Sequence, residues 1–362
     1  MDKIKILYNA YTLSKPITGV GRYTQLLSYI NDYKIYKIAS TPNNKICWEN
    51  NFNNIIISNF KSLFGKLYWT FFFRHKNLDY DILHSPYPNL PLFLNKPSII
   101  TVHDLIFLTN PKWYPLKERI FIKLSFYLAI NKATKIICVS NNTFNCLIKF
   151  FPEVKNKSTV IYNSLPNTKI VNNYNQKKGN KVSNKQLHHL IDTKYFVCPS
   201  NRHPRKNLKN TINAFNRSKY KKLGYKLVLT GINEALDDVE NKDTFLDLGY
   251  LNDSDYYLLI EHAEAILFFP LDEGFGLPII DSLMFNTPIL CSNIPVFREI
   301  FENVSELVLC EKYENEEGIL NFLNNINIDE IDLKRFESLK IKFSFDNFEE
   351  KHINLYREIA KF

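Results

Sequence analysis

Residues 268–293, FFPLDEGFGLPIIDSLMFNTPILCSN, decide the fold. Ala265 to Phe269 is a continuous apolar run, as in a strand buried on both faces of a parallel sheet, and it stops at Pro270. The loop that follows carries Asp272, Glu273, Gly274 and Gly276. Pro278 stands where a first helical turn accepts a proline, and Ile279, Ile280, Leu283 and Met284 recur at helical spacing behind it. Asn286 gives a left-handed stop before the breaker Thr287-Pro288, and Ile289 to Cys291 is the next strand. Strand, glycine loop, helix and strand make a right-handed crossover whose helix N-terminus lies at the carboxyl edge of the sheet. Free backbone N–H groups, the positive end of the helix dipole and close backbone approach at glycine suit a diphosphate there.

The composition fits a two-domain enzyme of the α/β class. The 362 residues exceed one compact core, and 28 Phe with 21 Tyr supply apolar surface for two. Cys47, Cys138, Cys146, Cys198, Cys291 and Cys310 contain no C-x-x-C pair, which predicts reduced thiols of a cytosolic protein rather than a disulfide or zinc framework. The first strand begins almost at Met1, so no signal peptide is expected, and no apolar run is long enough to span a bilayer. The formal charge of +9 is spread along the chain without a nucleic-acid recognition motif. It points to anionic phospholipid headgroups or phosphate-bearing substrates, or to a general drift toward Lys, Asn and Ile.

The string Glu273-Gly274-Phe275-Gly276-Leu277-Pro278, with a second carboxylate at Asp281, resembles the E-x7-E signature of the retaining GT-B glycosyltransferases. The likeness is closest to their large nucleotide-sugar-dependent family four, of group 1 type. The resemblance implies that Glu273 and the amides of Gly274, Phe275, Gly276 and Leu277 hold the donor sugar and phosphates. It implies that Asp281 meets the ribose, from a side chain one methylene shorter than the family's glutamate. An acidic first turn on an ordinary crossover helix is the plainer alternative.

Outward from that stretch, Tyr195 to Cys198 reads as a strand, followed by Ser200, Arg202, Pro204, Arg205, Lys206, Asn207 and Leu208. PRKNL resembles the family's diphosphate motif and places Lys206 against the leaving phosphates. Ser200 occupies the position where family members commonly carry arginine, and Arg202 or Arg205 is the candidate replacement. Lys226 to Gly231 is another strand, and Leu248-Gly249-Tyr250-Leu251 resembles the segment whose main chain meets the base. In the first half, Lys3 to Asn9 is a strand, and Gly19 and Gly21 read as a glycine loop before a helix at Thr24 to Ile30. His84 and His103 each follow a strand, where side chains face a ligand crevice. The string ITVHDL resembles the family segment whose histidine, here His103, lies beside the donor sugar. Asp104 either orients His103 or caps the next turn. Ile136–Ser140 and Val160–Asn163 read as further strands of this half.

Three other stretches carry less. Residues 60–76 predict a core helix with Trp69, Phe72 and Phe73 among Lys61, Lys66, Arg74 and Lys76, as at a lipid headgroup layer. Asp79-Tyr80-Asp81 has the D-x-D form of a GT-A metal site but reads as the start of a strand, and Asp253-Ser254-Asp255 reads as a helix N-terminus. Ser344 opens a last helix with Phe345, Phe348, His352, Tyr356 and Ile359 on one face.

The expected architecture is GT-B: two Rossmann-like domains facing each other across a cleft, with the C-terminal helix crossing back to the first. The boundaries read 1–165 for the acceptor-binding domain, 166–194 for the hinge, 195–343 for the nucleotide-sugar domain and 344–362 for the returning helix. The expected activity is retaining, metal-independent glycosyl transfer from a nucleotide-diphosphate sugar to a glycan or lipid-linked glycan of a bacterial surface polysaccharide or lipopolysaccharide. Glu273, His103 and Lys206 are its expected catalytic residues, with no metal and no cofactor. The enzyme is expected in the cytoplasm, peripheral on an anionic inner membrane face, with no nucleic-acid partner. A non-catalytic nucleotide-sugar-binding scaffold, motivated by Ser200 and Asp281, and a GT-B epimerase are the rivals.

Overall fold

The structure is a computed structural model in which residues 3–13, 19–32, 34–41, 51–57, 78–166, 184–201, 203–231, 244–302 and 309–360 are described. The chain divides into two units, Met1–Ser164 with Phe345–Phe362, and Leu165–Ser344. Arg202, Cys47 and the aromatic and basic stretch 60–76 lie outside the described residues.

Unit 1 is built on strands β1 (Ile4–Asn9), β2 (Ile35–Thr41), β3 (Asn54–Ile57), β4 (Ile82–Ser85), β5 (Ser98–Val102), β6 (Lys135–Cys138) and β7 (Ser158–Val160). Among the described residues they pair in parallel in the order β3-β2-β1-β4-β5-β6-β7. Isoleucine- and valine-rich β5 is buried end to end, as a sheet covered on both faces requires. Ile6 stands opposite both Lys37 of β2 and Ile82 of β4, and the strand order reverses between β1 and β4. That reversal is where an open α/β sheet receives ligand. Helix α1 (Gly19–Tyr29) begins before Thr24, so Gly19 and Gly21 are helical and not a loop, and Gly21 is buried. The core-facing Tyr23, Leu26 and Leu27 advertise the middle of this helix, whereas poor helix formers conceal its first turn. Helix α2 (Leu116–Lys132) buries Phe126, Ala129 and Ile130 in a cluster with Val102, Phe107 and Ile136.

Unit 2 repeats the plan with β8 (Tyr195–Pro199), β9 (Lys226–Thr230), β10 (Leu246–Asp247), β11 (Ala265–Phe268), β12 (Ile289–Ser292) and β13 (Leu309–Cys310). The described strands are parallel in the order β10-β9-β8-β11-β12-β13 and reverse between β8 and β11. Helices α3 (Leu208–Arg217), α4 (Asp253–Glu261) and α5 (Leu277–Phe285) belong to it. The crossover β11–α5–β12 is the one its sequence announces: Ile266 pairs with Ile289, and Asn286 ends α5 at φ 55°. Within the expected linker, Lys185–Leu190 is helical, capped by Asn184, with Leu187 and Leu190 buried. The rest of that segment, residues 167–183, is not among those described.

The last helix, α6 (Phe345–Ile359), belongs to unit 1 and buries Phe345, Phe348, His352, Leu355, Tyr356 and Ile359. A directed hydrogen-bond chain ties it to the sheet. The Phe348 carbonyl can only accept, so His352 Nδ1–H donates to it at 2.7 Å, and His352 Nε2 accepts from the Tyr23 hydroxyl at 3.0 Å. Tyr23 accepts from Thr101 at 3.0 Å, and Thr101 accepts from His84 Nε2–H at 3.2 Å. His84 Nδ1 then accepts from Tyr356 at 2.8 Å, and Tyr356 accepts from Tyr8 at 3.1 Å. Both rings are neutral in this arrangement, and burial pushes His352 down to about 4 and His84 well below its usual value. His84 is therefore not at a ligand crevice as its strand-end position suggested. It lies inside β4, fully buried, where the pleat turns it toward α6.

Candidate functional site

In unit 2 the site grows from the strand reversal, because the loops leaving β8 and β11 are neighbours there. After β8 the chain makes a 3-10 turn, Pro204–Lys206, and Asn207 closes it in the left-handed region at φ 56°. Asparagine tolerates that conformation better than most residues. Its carbonyl accepts from Thr211 N at 3.2 Å in the first turn of α3, and its side chain donates to the Tyr313 carbonyl at 2.8 Å. The Asn of PRKNL thus shapes the loop, while its two cations point to the next one.

Glu273, after β11, is 8% exposed. Arg205 Nη1 lies 2.6 Å from its Oε1, and the Lys206 ammonium contacts the same oxygen. Leu271 N donates to the Arg205 carbonyl at 2.7 Å, and Arg205 Nη1 also donates to the Asp272 carbonyl at 3.3 Å, so the two loops are clipped together by backbone. Lys206 Nζ sits 4.9 Å over the Phe268 ring. Burial pushes the Glu273 carboxyl up, but the Lys206 and Arg205 charges and their hydrogen bonds outweigh it and hold the group below its usual range. Two partly desolvated cations are thus aimed at one place beside a glycine loop, an arrangement able to take phosphate oxygens.

Gly276 supplies both a backbone and a space requirement. Its φ is 97°, and a Cβ there would lie 2.7 Å from the Phe297 ring. Phe275 turns into the core, 3% exposed and edge-on to Phe343 at 5.6 Å, so only its main chain is available to a ligand. Leu277, half-buried, opens α5 with Pro278 in the first turn. Asp281 is not in the first turn as expected but one turn further on, where the dipole has faded, and it is fully buried. Its Oδ2 accepts from the Tyr256 hydroxyl of α4 at 2.8 Å. Sequence reasoning passed over Tyr256, since nothing in the sequence marks a tyrosine on one helix as the partner of an acid on the next.

The remaining unit 2 candidates line the ends of β8 and β9. Ser200 N donates to the Thr230 carbonyl at 2.8 Å and its hydroxyl to Asn201 O at 2.9 Å. A Cβ on Gly231 would lie 2.1 Å from the Ser200 carbonyl oxygen, so this crossing of loops demands glycine. Gly231 N and the Thr230 hydroxyl both donate to Gly249 O at 2.9 Å, which holds the next segment. There Leu251 is buried and Tyr250 is 41% exposed.

In unit 1, His103 follows β5 and is half-buried. Its Nε2–H donates to the Pro86 carbonyl at 2.8 Å, leaving Nδ1 as the acceptor of a neutral ring. Burial lowers its pKa against the opposing effects of Pro86 and Asp104. The Tyr23 ring meets it edge-on at 5.0 Å. Asp104 caps the next turn, accepting from Ile106 N at 3.2 Å. Of the D-x-D string, Asp79 pairs with Lys5, Tyr80 is buried, and Asp81 accepts from Lys5 N at 2.8 Å, so these residues join β1 to β4.

Residues 181–340 match the profile of the family described as Glycosyl transferases group 1, and residues 52–166 that of Glycosyltransferase Family 4. The O-antigen chain mannosyltransferase RfbU of Salmonella typhimurium is 25% identical over 268 residues, covering 72% of this chain and 69% of that protein. O-antigen chain mannosyltransferase B of Escherichia coli is 23% identical, covering 98% of this chain and 100% of that protein. Among solved structures, a glycosyltransferase from Rickettsia africae superposes with a TM-score of 0.66 at 16% identity, covering 100% of both chains. WaaG, a glycosyltransferase involved in lipopolysaccharide biosynthesis, does so with a TM-score of 0.63 at 13% identity, covering 98% of both.

Proposed function

The chain belongs to the group 1 glycosyltransferases of GT-B fold, and from that premise we propose that it transfers a sugar, with retention and without a metal, from a nucleotide-diphosphate donor to a growing surface glycan. The observation that carries this reading is the pairing of Glu273 with Arg205 and Lys206 at the strand reversal of unit 2. On donor binding, the diphosphate takes hydrogen bonds from the two cations and from the amides around Gly274 and Gly276, and Glu273 turns to the sugar hydroxyls. The bond from anomeric carbon to phosphate oxygen breaks as the acceptor oxygen bonds to the same face of that carbon, and the acceptor proton passes to the leaving phosphate. Charge growing on that phosphate is stabilised by Arg205 and Lys206, held in place before the reaction begins. His103 accepts a hydrogen bond from a donor hydroxyl through Nδ1, and the Tyr256–Asp281 pair meets the ribose.

The two curated relatives are named O-antigen chain mannosyltransferases. The acceptor we assign is accordingly an O-antigen-type glycan of lipopolysaccharide, free or lipid-linked, and mannose is the first sugar to try. The test supplies mannose nucleotides and a mannose-ended oligosaccharide and follows the anomeric proton of the product by NMR. An α-linked product from an α-linked donor, insensitive to EDTA, supports the proposal. Inversion or strict dependence on a divalent cation overturns the mechanism. Nucleotide binding without transfer to any glycan leaves a sugar-nucleotide-binding scaffold.

A further inference from the structure

Arg205 and Lys206 are matched by an anion that the chain itself supplies. Both close on one carboxylate oxygen, Glu273 Oε1, and their side chains are only 16% and 12% exposed, so solvent ions screen the contact little. Burial pushes the Glu273 carboxyl up, but the two cations outweigh it and keep the group charged at neutral pH. Other contacts also hold the cations where they are. Arg205 Nη1 donates to the Asp272 carbonyl at 3.3 Å, and the Arg205 backbone N–H donates to His203 Nδ1 at 3.3 Å. Lys206 N donates to the His203 carbonyl at 2.8 Å, and the ammonium stands 4.9 Å over the Phe268 ring. The placement of the pair therefore does not rest on the carboxylate alone, whereas much of its charge is spent on it.

A phosphate oxygen would need the same N–H directions that Glu273 Oε1 now takes. Resting on the donor site described under the proposed function, we propose that Glu273 is a built-in competitor of the leaving nucleoside diphosphate, pairing with Arg205 and Lys206 whenever no donor sugar engages it and reclaiming them once the sugar is transferred. A nucleotide sugar brings hydroxyls as well as phosphates, so the carboxylate that its diphosphate displaces finds a new partner at once. The product brings the diphosphate alone. It leaves a buried carboxylate either without a partner or facing phosphate charge, and both are costly. The site accordingly discriminates between donor and product through one side chain, and product inhibition is held down.

The test reads binding and needs no acceptor, so its outcome is separate from that of the transfer assay. Full-length wild type, Glu273→Gln, Glu273→Ala, and Arg205→Gln with Lys206→Gln are titrated calorimetrically with GDP, UDP and inorganic pyrophosphate, and a cooperative melt of each shows that it is folded. The proposal expects the Glu273 variants to bind the ligand that wild type binds best about tenfold more tightly, the reverse of the usual result of removing a site residue. It expects no such gain when Glu273→Gln is added to the protein that lacks both cations, because the competition is for those two groups. Affinity unchanged or reduced in a folded Glu273 variant overturns the inference alone, since the carboxylate would then be indifferent to the diphosphate or a support for its cations. Wild-type affinity that survives loss of both cations, or no binding by any of the proteins, overturns the diphosphate site and the inference with it.

Discussion

Glu273 is the residue on which two cations depend. Its depressed pKa makes it a stabilising charge at neutral pH, a contribution lost as pH falls through the folded pKa below the ordinary carboxylate range. Glu273→Gln keeps the shape and strands two cations, and we expect at least a hundredfold loss of transfer with about 1–3 kcal/mol lost in stability, read from turnover and denaturant melts. Wild-type turnover would remove Glu273 from the reaction. Tyr256→Phe removes the hydroxyl that donates to Asp281 Oδ2. The expected result is a donor KM raised about tenfold with kcat within about twofold, since ribose contacts are made alike in ground and transition states. An equal fall in kcat and kcat/KM would mean that the pair acts on the reacting centre instead.

At the scale of elements, α6 is held by apolar packing and by a polar chain that works in one protonation state. His352 ionises at about 4 in the folded chain against about 6.5 unfolded. A depressed histidine leaves stability intact above pH 6.5 and withdraws it as pH falls from there toward 4, because the unfolded chain then binds the extra proton. His352 alone accounts for about 3 kcal/mol over that window, and His84 and His103 act in the same direction. Melting temperature followed from pH 7 to pH 5 should therefore fall, and fall less in His352→Gln, whose amide can accept from Tyr23 without titrating. Parallel curves for the two proteins would show that the chain does not control acid lability. The face of α6 was legible from its period, but the hydrogen-bond partners were not, since Tyr8, Tyr23, His84 and Thr101 come from three strands and a helix far away in sequence. Helix α2 was illegible in the opposite sense: with apolar residues all round it, the period cannot say which side is buried.

For the whole molecule, two Rossmann-like units repeat one strand order, and the chain leaves unit 1 at Ser164 and returns to it at Phe345. Ending the chain at Ser344 would uncover Tyr8, Tyr23 and His84 and take from each its α6 partner, Tyr356 from the Tyr8 hydroxyl and His84 Nδ1 and His352 from the Tyr23 hydroxyl. We expect such a truncation to lose the cooperative melt of unit 1 and to keep nucleotide binding by unit 2, as read by calorimetry with and without nucleoside diphosphate; an unchanged unit 1 melt would show α6 to be an accessory. By itself the sequence determined the alternation of strand and helix, the β11–α5–β12 crossover and the candidate loops. Those features are written in local chemistry: apolar runs, a proline at a helix start, and glycine or asparagine where φ is positive. Only the tertiary structure decided that Arg205 and Lys206 meet Glu273, that Asp281 is closed over by Tyr256, and that His84 is core while His103 keeps a free ring nitrogen. In the sequence the two histidines look alike, each behind an apolar run, and what separates them is the packing of α6 on His84 inside β4 from 272 residues away, which no local pattern encodes.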